Sequence, residues 1–194
     1  MVTVDDPVQV AKQELRRNIL QRRRAHPPGV DDAAALAAQA AAEPLIARAR
    51  RIALYSSMPT EPPTGQLIAD LISRGCEVVL PVVSADHSLT WVVASLNGPT
   101  TTSELGIPEP SHGVIGSLSD CDVVLVPALA ADHAGHRLGR GAGYYDRALT
   151  EVSVPIVAIV FTEELLPQIP HEPHDVRVNA VLTPSGMFRV PQTP

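Results

Sequence analysis

Two short runs of the chain fix its class of fold before anything else is read. "CDVVLVPALA" (121–130) and "PIVAIVF" (155–161) are apolar almost without interruption. A strand with one wet face alternates apolar and polar residues. A short unbroken apolar run belongs instead to a strand covered on both faces, as in a parallel sheet flanked by helices. The rest of the chain supplies the partners. Val8, Ala11, Leu15 and Ile19 recur at helical spacing over 8–25, and "HPPG" ends that helix. An alanine-rich helix follows, capped by Asp31 or Asp32 and interrupted or restarted at Pro44. "RIALYSS" predicts a strand, "PPTGQLIADLISRG" a helix with prolines near its start and Gly75 as C-cap, and "CEVVLPVV" and "LTWVVASL" two more strands. The helix between "RIALYSS" and "CEVVLPVV" is the crossover of a β-α-β unit. Residues 99–120, rich in Pro, Gly, Ser and Thr, predict a long connecting loop. After "PIVAIVF" the pattern predicts a short helix at "TEELLPQI", a last strand ending "PHDVRVNAVLTPSG", and an edge hairpin at "MFRV". The expected fold is α/β: a three-layer sandwich around a mostly parallel central sheet, with Rossmann-like open topology. Residues 1–194 are expected to form a single domain, since no repeat and no linker divides them.

Composition narrows the partners. Hydrophobic residues are 45% and charged residues 19%, which suits a folded globule and argues against disorder. The net charge of -6 argues against a nucleic-acid binder, because the basic residues are local, in "KQELRRNILQRRR" and in the stretch 135–147. An anionic small molecule suits that distribution better. The two cysteines, Cys76 and Cys121, show no metal-ligand spacing and are expected to be reduced core thiols. No signal-peptide pattern and no membrane-spanning apolar run is evident, so a cytoplasmic location is expected, with no membrane partner. Nothing calls for more than a monomer.

The residues that promise chemistry are "GHRLGRGAGYYDR" (135–147), directly after the strand at 121–126. In an open α/β sheet, ligands bind beyond the carboxyl ends of the strands. Gly139, Gly141 and Gly143 alternate, which allows positive φ and close backbone approach to a ligand. A helix beginning near Gly143 or Tyr144 adds amide donors, and Arg137 and Arg140 add forked positive donors. This favours phosphate. The pattern is not a Walker A loop, having no Lys-Ser or Lys-Thr after the glycines, and its third glycine comes one residue too early for GxGxxG. The plain alternative is a glycine-rich turn with solvated arginines. Asp146 suits Mg²⁺ held against phosphates; its alternatives are a helix N-terminal carboxylate or a partner for Arg147. The histidine pairs His133/His136 and His171/His174 lack cysteine neighbours and fit titratable loop histidines near phosphate better than zinc ligands.

"VPALAADHAGHRLGRGAGYYDR" resembles the signature of the 5-formyltetrahydrofolate cyclo-ligases, also called 5,10-methenyltetrahydrofolate synthetases. "KQELRRNILQRRR", "IALYSSMPTEPPT", "ELGIPEP" and "HDVRVNAVLTP" resemble further segments of that family in the same order. The resemblance implies a ligase that uses ATP and Mg²⁺. It phosphorylates the formyl oxygen of 5-formyltetrahydrofolate, and N10 then attacks to give 5,10-methenyltetrahydrofolate, ADP and phosphate. It implies ATP contacts from Lys12, Arg16, Arg137, Leu138, Gly139, Arg140, Gly141, Ala142, Gly143, Tyr144 and Tyr145. Folate contacts follow from Ser56, Met58, Glu61, Tyr144 and Tyr145, catalytic roles for Arg137, Arg140 and Tyr144, and Mg²⁺ ligation by Asp146 and Asp175. Without the resemblance, Lys12 and Arg16 read as a solvated basic face, Glu61 as a turn residue, Met58 as core and Asp175 as a surface acid beside Arg177. Ala131, Ala142, Asn179 and Leu105 depart from the family pattern, and the first three motivate a second reading, a catalytically weak or inactive relative that binds reduced folate or nucleotide.

Overall fold

The computed structural model describes residues 6–84, 88–96, 98, 100–102, 108–110, 113–173 and 175–191. Its helices are α1 (Pro7–Ala25), α2 (Val30–Ala42), α3 (Pro44–Ala47), α4 (Gly65–Ser73) and α5 (Tyr144–Leu149). Its strands are β1 (Arg51–Ala53), β2 (Glu77–Val83), β3 (Leu89–Val93), β4 (Thr100–Thr102), β5 (Pro108–Pro110), β6 (Ile115–Gly116), β7 (Val123–Pro127), β8 (Ala130–Asp132) and β9 (Arg137–Leu138). They continue with β10 (Ile156–Ile159), β11 (Leu165–Leu166), β12 (Ala180–Thr183) and β13 (Gly186–Arg189).

Eight strands form the main sheet in the order β13-β12-β10-β7-β1-β2-β3-β6. The run from β12 to β2 is parallel, and β13, β3 and β6 close it antiparallel at the two edges. Counted in chain order, the parallel strands lie 2-1-3-4-5. This is a doubly wound order whose direction of winding reverses between β1 and β7, where a crevice must open. The alternation of side chains explains the unbroken apolar runs. Ile52, Val78, Val123, Leu125, Val157, Ile159 and Leu182 face α2, α3 and α4 on one side of the sheet, packing on Leu36, Ile46, Leu67 and Leu71. Ala53, Val79, Val124, Val126, Ala158 and Val181 face the other side, where Trp91, Leu118, Cys121 and Leu149 of α5 cover them. The sheet is therefore the middle of three layers, as expected.

Helix α1 lies apart from the main sheet. Its Ile19, with Leu15 and Leu20 beside it, packs on Leu129, Ala130, Leu138 and Ile169, against the small sheet β11-β8-β9. Arg23 fastens it: its guanidinium donates to both oxygens of Glu164, at 2.9 and 2.6 Å, and to the Ala128 carbonyl at 2.9 Å. Glu164 is completely buried and also accepts from the Phe161 N–H at 3.0 Å.

Local details depart from the sequence reading in three places. The alanine-rich helix starts one to two residues before the proposed caps. Gly29 is the N-cap, and Asp32 turns back to accept from its N–H at 2.8 Å. The expected helix at "TEELLPQI" is a single 3₁₀ turn, Thr162–Glu164, followed by β11. Glu164 is drawn inward by Arg23, and Pro167 denies a donor to any further turn. The expected long loop at 99–120 is in part a β4-β5 ladder, the β6 edge strand and a 3₁₀ turn at Leu118–Asp120. Gly75 does end α4, with φ +83 one residue after the cap Arg74.

Candidate active site

A cleft of about 960 Å³ opens beyond the carboxyl ends of β1 and β7, where the winding reverses. One wall comes from the segment after β1: Tyr55, Ser56, Met58 and Glu61. The opposite wall is Arg137 with Gly139, Arg140, Gly141, Ala142, Gly143, Tyr144, Tyr145 and Asp146. Folding thus joins both halves of the site that the sequence suggested, although they lie far apart in the chain.

The first wall is a fixed turn. The Thr64 hydroxyl, fully buried, donates to the Tyr55 carbonyl at 2.7 Å and accepts from the Ser57 N–H at 3.1 Å. The Glu61 N–H donates to the Met58 carbonyl at 2.9 Å, and the Glu61 carboxylate accepts in return from the Met58 N–H at 3.0 Å. Glu61 is 6% exposed. Its other oxygen accepts from Arg140 Nε at 3.0 Å, across the cleft. Tyr55 was not singled out in the sequence. Its ring is buried in the core, and among the described residues its hydroxyl finds no hydrogen-bond partner. Burial, reinforced by the Glu61 charge, pushes its phenol well above the usual value. The only sequence signal for it was an aromatic polar residue at the end of an apolar strand.

The second wall begins in β9. Arg137 is 6% exposed, donates to Asp146 at 2.5 Å, and lies over the Tyr145 ring with its guanidinium carbon 5.9 Å from the centroid. Tyr145 in turn meets Trp91 edge-on at 6.3 Å. Burial, then the Glu61 charge, raises the Tyr145 phenol far above its usual value, against the pull of Arg137. Gly141 and Gly143 take left-handed φ of +102° and +71°; Gly139, expected to share this, does not. Gly143 caps α5, and a Cβ there would come within 2.9 Å of the Arg147 guanidinium.

Four of the sequence-derived site residues stand off the cleft wall. Leu138 is 1% exposed and packs with Leu129, Ile19 and Ile169, because β9 pairs with β8 and turns that side chain into the core. Arg16 reaches the loop from behind: its Nε donates to the Gly139 carbonyl at 2.9 Å, and its guanidinium lies against Gly141. Lys12, one turn earlier, is not on a solvated basic face. It is 4% exposed and donates to Glu172 at 2.8 Å and to Asp175 at 2.6 Å. Burial alone would lower its pKa, but the Asp175 and Glu172 hydrogen bonds outweigh that and raise it. Asp175 also accepts from the Glu172 N–H at 2.7 Å, and unlike Asp146 it does not line the cleft. Among the described residues no group of three or more His, Cys, Asp or Glu side chains is arranged to hold a metal.

His133, His136 and His171 do not line the cleft either. His136 bonds the fully buried Asp132 at 2.9 Å and stacks on His171, ring centroids 3.5 Å apart, while His133 packs on Phe188. His174 lies outside the described residues. Of the departing residues, Ala131 is core and Asn179 ties β10 by accepting from the Ile156 N–H at 2.8 Å. Of those among the described residues only Ala142 faces the cleft; Leu105 lies outside them. Cys76 and Cys121 are free, buried thiols. No helix among the described residues is long and apolar enough to cross a membrane.

Comparison with known proteins agrees with the arrangement. The profile described as the 5-formyltetrahydrofolate cyclo-ligase family matches residues 8–184. A 5-formyltetrahydrofolate cyclo-ligase of Mycolicibacterium smegmatis is 37% identical over 183 residues, covering 90% of this chain and 94% of its own. One from Escherichia coli K12 is 32% identical over 181 residues, covering 88% of this chain and 98% of its own. Among solved structures, the 5,10-methenyltetrahydrofolate synthetase of Aquifex aeolicus superposes with a TM-score of 0.80 at 25% identity, over 94% of each chain. That of Mycoplasma pneumoniae superposes at 0.69 and 21% identity, over 88% of this chain and 97% of its own, and supports the fold.

Proposed function

The chain belongs to the 5-formyltetrahydrofolate cyclo-ligase family, and from that premise we propose that it converts 5-formyltetrahydrofolate to 5,10-methenyltetrahydrofolate with ATP as co-substrate. The formyl oxygen is a poor leaving group. It attacks the γ-phosphorus of ATP, ADP departs, and the oxygen becomes part of a phosphate ester. N10 of the folate then adds to the activated carbon, the C–O bond breaks, and phosphate leaves together with the proton that N10 gives up. Atoms balance to the methenyl product, ADP and phosphate. The protein's share is positioning and charge stabilisation.

One observation supports this reading above the others. A carboxylate fixed in a turn and a glycine-rich basic loop face each other across one cleft, with Arg140 of the loop 3.0 Å from Glu61. Glu61 suits the N–H and NH₂ donors of a pterin edge, with Ser56 and Met58 beside it. The loop from Gly139 to Tyr145, entered through Arg137, suits the nucleotide phosphates, and Arg137 and Arg140 suit the charge that develops on the transferred group. Tyr144, the first residue of α5, lines the same cleft and suits contact with either substrate. Arg16 holds the loop through the Gly139 carbonyl, and Lys12, anchored one turn away, fixes the same end of α1. Mg²⁺ suits Asp146, whose 41%-exposed carboxylate lies on the cleft and also takes Arg137, together with phosphate oxygens; Asp175, held by Lys12, lies off the cleft wall and is not part of that donor set. When bound, the ion supplies neutralisation of phosphate charge.

Purified protein mixed with Mg²⁺-ATP and 5-formyltetrahydrofolate should show growth of the methenyltetrahydrofolate absorbance, dependent on all three. No growth with correctly folded protein overturns the proposal.

A further inference from the structure

The Glu61–Arg140 bridge joins the two subsites just assigned, and the inference rests on that assignment. Glu61 is needed by the pterin and Arg140 by phosphate, yet without ligands each occupies the other. Their bond is 3.0 Å, and both Glu61 oxygens are engaged, one by Arg140 and one by the Met58 N–H. The partners differ in freedom. Glu61 is buried and its turn is closed in both directions by Met58. The Arg140 side chain is 37% exposed and hangs between two glycines, of which Gly141 takes φ +102°. Arg140 is the partner that can swing.

We propose that the Glu61–Arg140 bridge is a latch that couples the two substrates: each, on binding, releases the group that the other needs. Nucleotide phosphates draw Arg140 away and leave the Glu61 carboxylate open to the pterin. A pterin on Glu61 frees Arg140 for phosphate. Whichever ligand arrives first breaks the bridge, and the second binds without that cost. Linkage makes the effect reciprocal, so each ligand tightens the other by the same factor. A half-exposed ion pair of this kind corresponds to a coupling of about three- to tenfold. The device favours the ternary complex over either binary one, which suits a reaction that must not hydrolyse ATP without folate.

Two variants give a signature that a merely structural pair does not. Calorimetry would follow binding of 5-formyltetrahydrofolate, and of a non-hydrolysable ATP analogue with Mg²⁺, each with and without the other. In the wild type each ligand should tighten the other about tenfold or somewhat less, by equal factors. Arg140→Gln should weaken the analogue yet tighten folate measured without nucleotide, and coupling should vanish. Glu61→Gln should do the mirror image, weakening folate and tightening the analogue. Independent binding in the wild type, or Arg140→Gln weakening folate in the absence of nucleotide, overturns the latch while the two-substrate reading stands. A folded wild type that binds neither ligand overturns that reading, and the latch with it.

Discussion

Arg23 and Arg140 each reach a glutamate far away in the sequence, but the two pairs are built for opposite purposes. The Arg23 side chain is 2% exposed, and Glu164 is fully buried; two parallel hydrogen bonds join them, the Ala128 carbonyl takes a further Arg23 N–H, and the Phe161 N–H and Arg22 also hold Glu164. Arg140 touches Glu61 through one nitrogen, from a glycine-flanked loop, on the wall of an open cleft. The first pair has its charges shut from water on both sides and cannot open without leaving an ion unpaired in the core. The second has a wet partner with somewhere else to go. The same chemical pair serves as a staple where α1 meets the small sheet and as a releasable contact where substrates are expected. Burial and the number of hydrogen bonds decide which.

The contrast can be broken from either side. Glu164→Ala should have the largest effect on folding, a loss of about 3–5 kcal/mol in urea unfolding, because Arg23 is then left buried without its counter-ion. A loss below 1 kcal/mol would remove the staple from the account. Asp146→Ala should have the largest effect on chemistry: turnover should fall about a hundredfold or more, and the unfolding free energy should fall as well, because the buried Arg137 loses its carboxylate partner. Unchanged turnover at limiting Mg²⁺ would contradict its role as a metal ligand. Glu61→Gln should raise the KM for folate about tenfold while leaving or lowering that for ATP; the reverse pattern would separate Glu61 from the pterin. Smallest of all, Tyr55→Phe should hold or slightly raise the unfolding free energy, because the hydroxyl it removes is buried without a partner among the described residues. A loss of more than about 1 kcal/mol would mean that this hydroxyl is paired after all.

What could be read from the sequence follows from how local each signal was. The unbroken runs at 121–130 and 155–161 reported burial on both faces, which is a property of the strand itself, so the layered sheet was legible. The glycine-rich loop was legible because its charge, glycines and place after a strand are contiguous. The short strands β4, β5 and β6 were not, because two or three residues carry no period and exist only through their partners. Leu138 looked like part of the phosphate loop because the two-residue β9 that turns it inward leaves no pattern. Lys12 looked solvated, since its burial depends on Glu172 and Asp175, which are separated from it by nearly the whole chain. The pairing of Arg140 with Glu61 was invisible for the same reason: the two residues lie far apart in the chain, and only the fold brings them together.

The proposed function requires that ATP be consumed in this cleft only together with folate. The most direct test measures phosphate release and methenyltetrahydrofolate formation in the same reaction. Equal amounts of both, and negligible phosphate release when 5-formyltetrahydrofolate is omitted, are the predicted result. Phosphate released at a similar rate without folate, or methenyl product formed without ATP, would contradict it.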